Sequence, residues 1–477
     1  MSGTRPNEAT TTGAVVESRS IDHVPVAERH GRVWHLAPVW IAGNANLGTI
    51  AVGFLGIAVG GDLWPTIAAT VLGSAFGAIF AALHSTQGPH LGLPQLIQSR
   101  PQFGYTGSAL VFILALINYV GFNVFCCVLA AQSLGVALGI GTVPAVLLII
   151  GVTLTLAIFG YTWIHVITRW VTLAFVIVFV IVTIVAAQTP QTVTAQAEFS
   201  WTPLLIQFGI AAGYQINWAI YVSDYTRYLP ATVDPKAMFW CTYLGMAVSS
   251  AWLTSLGALL AANFGTQDAV AGVAAAGDAL VPGFGRIAVL ISLGGLVCVM
   301  TMNTYGGGLT LISVIDTFRS VRLTAGLRVA AVVIMACAAL LLTVVMPEDY
   351  MQAMSVYLAF LLYLFAPWTA INLVDYFLVR RGRYSLTGMF DRSGVYRGWN
   401  RSGVLAYLLG LLVEIPLMST GIFTGPLAAG LGGADIAAFA GLSVAGVAYW
   451  ALNRGLDVDG EIGKAAATGD AATAPLR

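Results

Sequence analysis

Apolar residues gather along this chain into twelve long runs, at about 37–60, 63–84, 107–136, 143–160, 163–187, 203–228, 238–263, 286–315, 328–346, 352–379, 402–422 and 426–452. At about 1.5 Å per residue, runs of this length cross roughly 30 Å of hydrocarbon as α-helices. Backbone that faces lipid must satisfy its own hydrogen bonds, so the pattern predicts an all-α polytopic membrane protein with 12 transmembrane helices. The stretch 266–282, rich in Ala and Val with Asp268 and Asp278, predicts an extra helix at the membrane interface. Residues 1–34 are polar and predict a flexible cytoplasmic tail without a cleavable signal. Residues 453–477 predict a second cytoplasmic tail, Asp/Ala/Gly-rich and disordered from about Leu456.

The polar residues inside the runs carry the functional signal, because a polar group at membrane depth needs a partner or a purpose. Run one holds Gly43-Asn44-Ala45-Asn46-Leu47-Gly48-Thr49, a composition that breaks a helix. Run six, five helices later, holds Gly209, Gly213, Gln215, Asn217 and Trp218. Two interrupted helices at matching places in two five-helix halves point to an inverted-repeat transporter, whose exposed backbone groups bind substrate and cation. Glycine for close helix packing is the competing explanation. Run three holds Tyr119 and Asn123, an i, i+4 pair on one helix face, and run eight holds Asn303 and Tyr305. An aromatic plane with uncharged amides suits a flat, neutral heterocycle: the ring stacks, and each amide offers a donor beside an acceptor. A sugar would also use such amides, so the chemistry narrows the ligand without naming it.

Charge supports the helix count. With the N-terminus inside, every basic residue except Arg286 falls on the cytoplasmic side, the densest cluster being Arg380, Arg381, Arg383, Arg392, Arg397 and Arg401 in a loop at 380–401. The outer loops carry Asp62, Glu198, Asp268, Asp278, Glu348 and Asp349. Moving the count by one helix would invert the later loops and destroy this asymmetry. Composition then removes whole classes of function. Only 9% of the 477 residues are charged and 58% are hydrophobic, which excludes a soluble enzyme, a disordered chain and a nucleic-acid binder. The five cysteines lie in apolar runs and the six histidines are scattered, so neither a disulfide framework nor a metal cluster is predicted. No His-Glu-x-x-His helix or Ser/His/Asp grouping at membrane depth points to an enzyme.

Several motifs also resemble one family. Arg100-Pro101-Gln102-Phe103-Gly104-Tyr105-Thr106-Gly107 leading into Tyr119-Val120-Gly121-Phe122-Asn123 is similar to the third-helix region of purine–cytosine permeases, the nucleobase–cation symport family one. Ser223-Asp224-Tyr225-Thr226-Arg227-Tyr228-Leu229-Pro230, Asn303-Thr304-Tyr305, Ala366-Pro367-Trp368 through Asp375-Tyr376, and Gly433-Ala434-Asp435-Ile436 follow in the same order. The resemblance runs from about residue 34 to 452. It implies a ten-helix, five-plus-five inverted-repeat (LeuT-type) core at 35–379, the basic cytoplasmic loop at 380–401, and two accessory helices at 402–452.

The resemblance further implies a secondary active transporter of the plasma membrane that imports cytosine or purines with a cation by alternating access. No cofactor, nucleic acid or protein partner is implied. Carriers of allantoin, hydantoin or uracil, or of an amino acid or amine, on the same fold are the alternatives. The substrate residues it implies are Asn44, Asn46, Tyr119, Asn123, Gln215, Trp218, Asn303 and Tyr305. Gln215 stands where hydantoin-carrying relatives place a second Trp, which favours a polar-edged base. The implied cation residues are Gly43, Asn46, Cys298 and Thr301. Sodium-coupled relatives use two adjacent hydroxyl residues where this chain has Thr301 and Met302, and a thioether is a poor ligand for a hard cation, so either H+ or Na+ fits. Glu414, mid-run in run eleven, is the carboxylate placed deep in the membrane and is a further candidate.

Overall fold

The computed structural model describes residues 22–159, 161–192, 200–321, 324–346 and 349–466, with the backbone alone for 161–167. Among these residues the elements are helices, with one isolated bridge between Ser419 and Thr424. Helices take the ordinal of the apolar run that forms them. Eight are long and apolar enough to cross a membrane, and the bent first pair makes a ninth. The twelve runs differ from that number for local reasons. The sixth helix stops at its middle as Trp201–Ile216, passes through a 3-10 turn at Asn217–Ile220, and resumes as Val222–Thr226. The eleventh, Arg401–Glu414, ends in a 3-10 turn that contains Pro416. The twelfth begins only at Ala437 and runs to Asn453. A helix does form within 266–282, as Ala269–Leu280, capped by the Asp268 carboxylate on the Ala271 amide.

The first helix is interrupted, as its composition predicts. Leu36–Asn44 and Leu47–Ala58 meet at a 61° bend across Ala45 and Asn46. Asn46 stabilises the break from both sides: its amide donates to the Gly43 carbonyl at 2.9 Å, and its Oδ1 accepts from the Thr49 amide at 3.2 Å as an N-cap.

Packing sorts the helices into two groups. The second (Leu63–Ser85), sixth and seventh (Pro235–Phe264) pack on one another and on the broken first helix. Small residues set the spacing. Gly53 and Gly257 lie so close across the first and seventh helices that a Cβ on Gly53 would stand 1.8 Å from the Thr254 carbonyl. The second group is the third (Ser108–Leu138), fourth (Thr142–Phe159), eighth (Phe284–Phe318) and ninth (Ala325–Val344) helices. The tenth, Tyr350–Val374, lies against the sixth and the third and is backed by the eleventh and twelfth. The seam between the two groups is where the breaks of the first and sixth helices face the third and eighth.

The side of the molecule that carries the N-terminus holds a second polar assembly. Asp375, fully buried, accepts from Arg380 (2.5 Å), Tyr384 and Tyr449 (2.9 Å each) and Gln102 (2.7 Å). The C-terminal segment, expected to be disordered, forms a helix over Val458–Ala466, and both Glu461 oxygens pair with Arg380 at 3.1 Å. Composition flagged this segment as a tail, but its acids match the basic loop. The end of the N-terminal tail is also ordered: Arg29 donates to the Val24 carbonyl at 2.9 Å and to that of Pro89. Residues 1–21 and 467–477 lie outside the described residues.

Candidate functional site

At the seam lies a small slot of about 20 Å³, lined by Asn118 and Phe122 of the third helix, Tyr214, Asn217, Trp218 and Tyr221 of the sixth, and Val299 and Asn303 of the eighth. The sixth-helix break builds it. The 3-10 turn at Asn217–Ile220 turns Asn217, Trp218 and Tyr221 toward the third and eighth helices. Trp218 is seated over Gly43, whose place a Cβ could share only at 3.1 Å from the indole. The indole lies 6.0 Å from the Trp40 ring and 5.3 Å from the Tyr221 ring. Tyr221 spans the slot: its hydroxyl donates to Asn303 Oδ1 at 2.9 Å and accepts from Asn118 Nδ2 at 3.3 Å.

Two amides in the slot are left wanting. Asn217 is buried with neither Oδ1 nor Nδ2 bonded, and Asn118 Oδ1 is also buried without a donor. A buried, unbonded amide costs about 1–3 kcal/mol, so such groups in a native protein call for an explanation. No lining residue is charged. A volume of this size holds a water and not a six-membered ring. A ring ligand therefore has to part the two helix groups to enter, and on entering it would meet four aromatic side chains and three amides.

The structure distributes the residues expected from the sequence over this seam. Trp218 and Asn303 line the slot. Tyr119 and Asn123 lie on the neighbouring face of the third helix: Tyr119 sits edge-on to Tyr221 with ring centroids 5.1 Å apart, and Asn123 donates to Thr304 Oγ1 of the eighth helix at 2.8 Å. Gln215 donates to Asn44 Oδ1 at 3.2 Å, and Asn44 donates to Ser249 Oγ (3.0 Å) and the Met246 carbonyl (3.2 Å). These bonds tie the first, sixth and seventh helices together one layer behind the slot. Asn46 is the cap of the helix break, and Tyr305 is half-buried on the eighth helix outside the slot lining. Asn118, Phe122, Tyr214, Asn217 and Tyr221 were not among the substrate residues expected from the sequence, although Asn217 stood out in run six. The signal that could have found them is spacing: Asn118 and Phe122 are as good an i, i+4 pair as Tyr119 and Asn123.

Residues 23–435 match the family described as permeases for cytosine/purines, uracil, thiamine and allantoin. The chain belongs to this family. Among its relatives, the putative purine-cytosine permease YxlA of Bacillus subtilis is 35% identical over 92% of this chain and 96% of its own length. The purine-cytosine permease fcyB of Emericella nidulans is 27% identical over 92% of this chain and 88% of its own. Among solved structures, Mhp1, a nucleobase-cation-symport-1 family transporter in a closed conformation with bromovinylhydantoin bound, superposes with a TM-score of 0.72 over 92% of this chain and 96% of that one, at 19% identity. The permease therefore has the Mhp1 fold and is a multi-pass membrane protein, not an enzyme.

The region expected to hold the cation lies where the first-helix break meets the eighth helix of the permease. Gly295 gives the room: a Cβ there would stand 2.3 Å from the Ala45 carbonyl and 3.1 Å from Asn46. One turn along, Cys298 accepts from Thr168 Oγ1 of the fifth helix, Tyr161–Gln188, at 3.4 Å. Thr301 is buried and donates to the Val297 carbonyl of its own helix at 2.7 Å. Gly43 takes part through its carbonyl, which accepts from Asn46. Among the described residues no three His, Cys, Asp or Glu side chains converge as a metal cluster.

Proposed function

We propose that this permease imports a nucleobase, cytosine or a purine, together with a cation, by alternating access. The observation that carries the reading is the buried, unbonded amide of Asn217 and the unbonded Oδ1 of Asn118, beside Trp218 and Asn303 in a slot without charge. A neutral planar base answers each requirement: its face stacks on an aromatic ring, and its alternating donors and acceptors meet the amides. An amino acid would bring fixed charges, and the slot offers no ionic partner. The names of the B. subtilis and E. nidulans relatives agree with this substrate class.

The residues proposed to bind the base are Trp218, Asn303, Asn118, Asn217 and Tyr221. Asn44, Asn46, Tyr119, Asn123, Gln215 and Tyr305 act behind them, holding the broken helices and the third-to-eighth helix contact. Gly43, Asn46, Cys298 and Thr301 bound the region that a sodium ion would occupy, were sodium the coupling cation. In this reading both termini are cytoplasmic, the plasma membrane is the location, and residues 35–379 form the five-plus-five repeat core with 402–452 as accessory helices. Binding favours the state in which the two helix groups close on the ligand, and a ligand shifts that equilibrium only by its differential affinity for the two states. Proteoliposomes loaded with cytosine and given labelled cytosine outside test the proposal. Saturable exchange that unlabelled adenine or hypoxanthine inhibits is the expected result. Exchange that an amino acid blocks and purines do not would refute it.

A further inference from the structure

One buried carboxyl group has no part in the slot. Glu414 ends the eleventh helix, is fully buried, and neither of its oxygens has a hydrogen-bond partner. The carboxyl lies against the backbone of Gly441 in the twelfth helix, where a Cβ would stand 1.8 Å from Oε1. The titratable groups that face it are Asp435 at the head of the twelfth helix, Tyr363 on the tenth and Tyr407 on its own helix. None of these is a cation. A carboxylate buried with neither cation nor donor is strongly disfavoured, whereas a protonated carboxyl has no charge to desolvate.

Asp435 is built differently. It accepts from the Ser419 amide at 2.9 Å, the Ala437 amide at 3.0 Å and the Tyr363 hydroxyl, a set of donors that suits an ionised carboxylate. Asp435 and Tyr363 also line a cavity of about 370 Å³ on the side opposite the N-terminus, between the sixth, tenth and twelfth helices. Glu414 thus stands one layer behind a polar pair that faces the cavity. Two ionised carboxylates in this apolar setting would repel, and one added proton removes the repulsion.

We propose that Glu414 is a proton-binding site, filled from this cavity by way of Asp435 and Tyr363, and that the proton is the coupling cation of the permease. The step is a simple protonation: a proton from cavity water binds the Glu414 carboxylate, giving a neutral carboxyl and carrying one positive charge into the protein. Release on the opposite side restores the carboxylate. Tyr363 links the site to the tenth helix, which packs on both the sixth and the third. The inference rests on the base-carrier reading, and its test separates the two.

The experiment compares the full-length wild type with Glu414→Gln, which mimics the protonated form permanently, in proteoliposomes. Two readings are taken: cytosine counterflow without a gradient, and cytosine accumulation driven by an acid-outside pH gradient. Glu414→Gln is expected to keep counterflow within about twofold of wild type and to lose gradient-driven accumulation at least tenfold, with Glu414→Asp restoring it in part. If Glu414→Gln does not reach the membrane, Asp435→Asn carries the same test with the same two readings. Normal pH-driven accumulation in the neutral variant, or wild-type accumulation driven by sodium and indifferent to pH, overturns the proton site while leaving the base-carrier reading in place. Absence of wild-type counterflow with cytosine, adenine and hypoxanthine alike overturns both.

Discussion

Replacing Asn217 by alanine is expected to weaken base binding roughly 100-fold while leaving the protein as stable as the wild type or slightly more so. The two halves of that expectation come from one observation. Both amide atoms of Asn217 are buried and unbonded, so truncation removes an unsatisfied group and breaks no bond of the protein itself. In the proposed complex with a base the same amide would give and accept a hydrogen bond. Each lost partner of a buried bond costs about 1–3 kcal/mol, and about 1.4 kcal/mol is a factor of ten in affinity. Equilibrium binding of labelled cytosine and a thermal melt on the same preparation measure both quantities. Asn44→Ala is the contrast: Asn44 accepts from Gln215 and donates to Ser249 and Met246, so its loss should lower the melting temperature. Unchanged affinity in Asn217→Ala would remove that residue from the site.

Asp375→Ala is expected to destabilise the permease by about 3–5 kcal/mol, the cost of removing one partner from a buried ion pair. Asp375 and Arg380 are both buried and 2.5 Å apart, and Gln102, Tyr384 and Tyr449 donate to the same carboxylate. Alanine leaves three donors and a cation facing an apolar gap, with Glu461 as the remaining ion partner of Arg380. Asp375→Asn, which keeps an acceptor of the same shape and loses the charge, should cost less. Thermal unfolding in detergent, followed by intrinsic fluorescence, should place the melting temperatures in the order wild type, Asn, Ala. An alanine variant that melts with the wild type would mean that Glu461 and water replace the carboxylate in full.

Much of this architecture is legible in the sequence because lipid is an unforgiving solvent. Apolar run length located the eight long helices and the broken first one, and the Gly43–Thr49 composition located the break within a residue or two. The positions behind that break were also readable: Asn44, Asn46 and Gln215 are polar at membrane depth, and each has a structural partner. What the sequence could not separate was polarity that lines the slot from polarity that faces another way. Asn118 and Asn123 have the same side chain on one helix, each donates one bond, to Tyr221 and to Thr304, and each keeps an unbonded Oδ1, yet only Asn118 lines the slot. A helix offers several i, i+4 faces about 100° apart, and only the neighbouring helices decide which one looks inward. The C-terminal helix escaped notice for a similar reason. Its local composition reads as a tail, and the pairing of Glu461 with Arg380 spans 81 residues.

The central claim is that a neutral planar base sits between Trp218 and the amides of Asn118, Asn217 and Asn303. A structure of the permease determined in saturating cytosine tests it most directly. The account predicts ring density against the Trp218 face, with Asn217 and Asn303 within about 3.2 Å of the base edge and the two helix groups parted to admit it. Cytosine bound instead in the cavity beside Asp435, or held in the seam with no contact to either asparagine, would contradict the account.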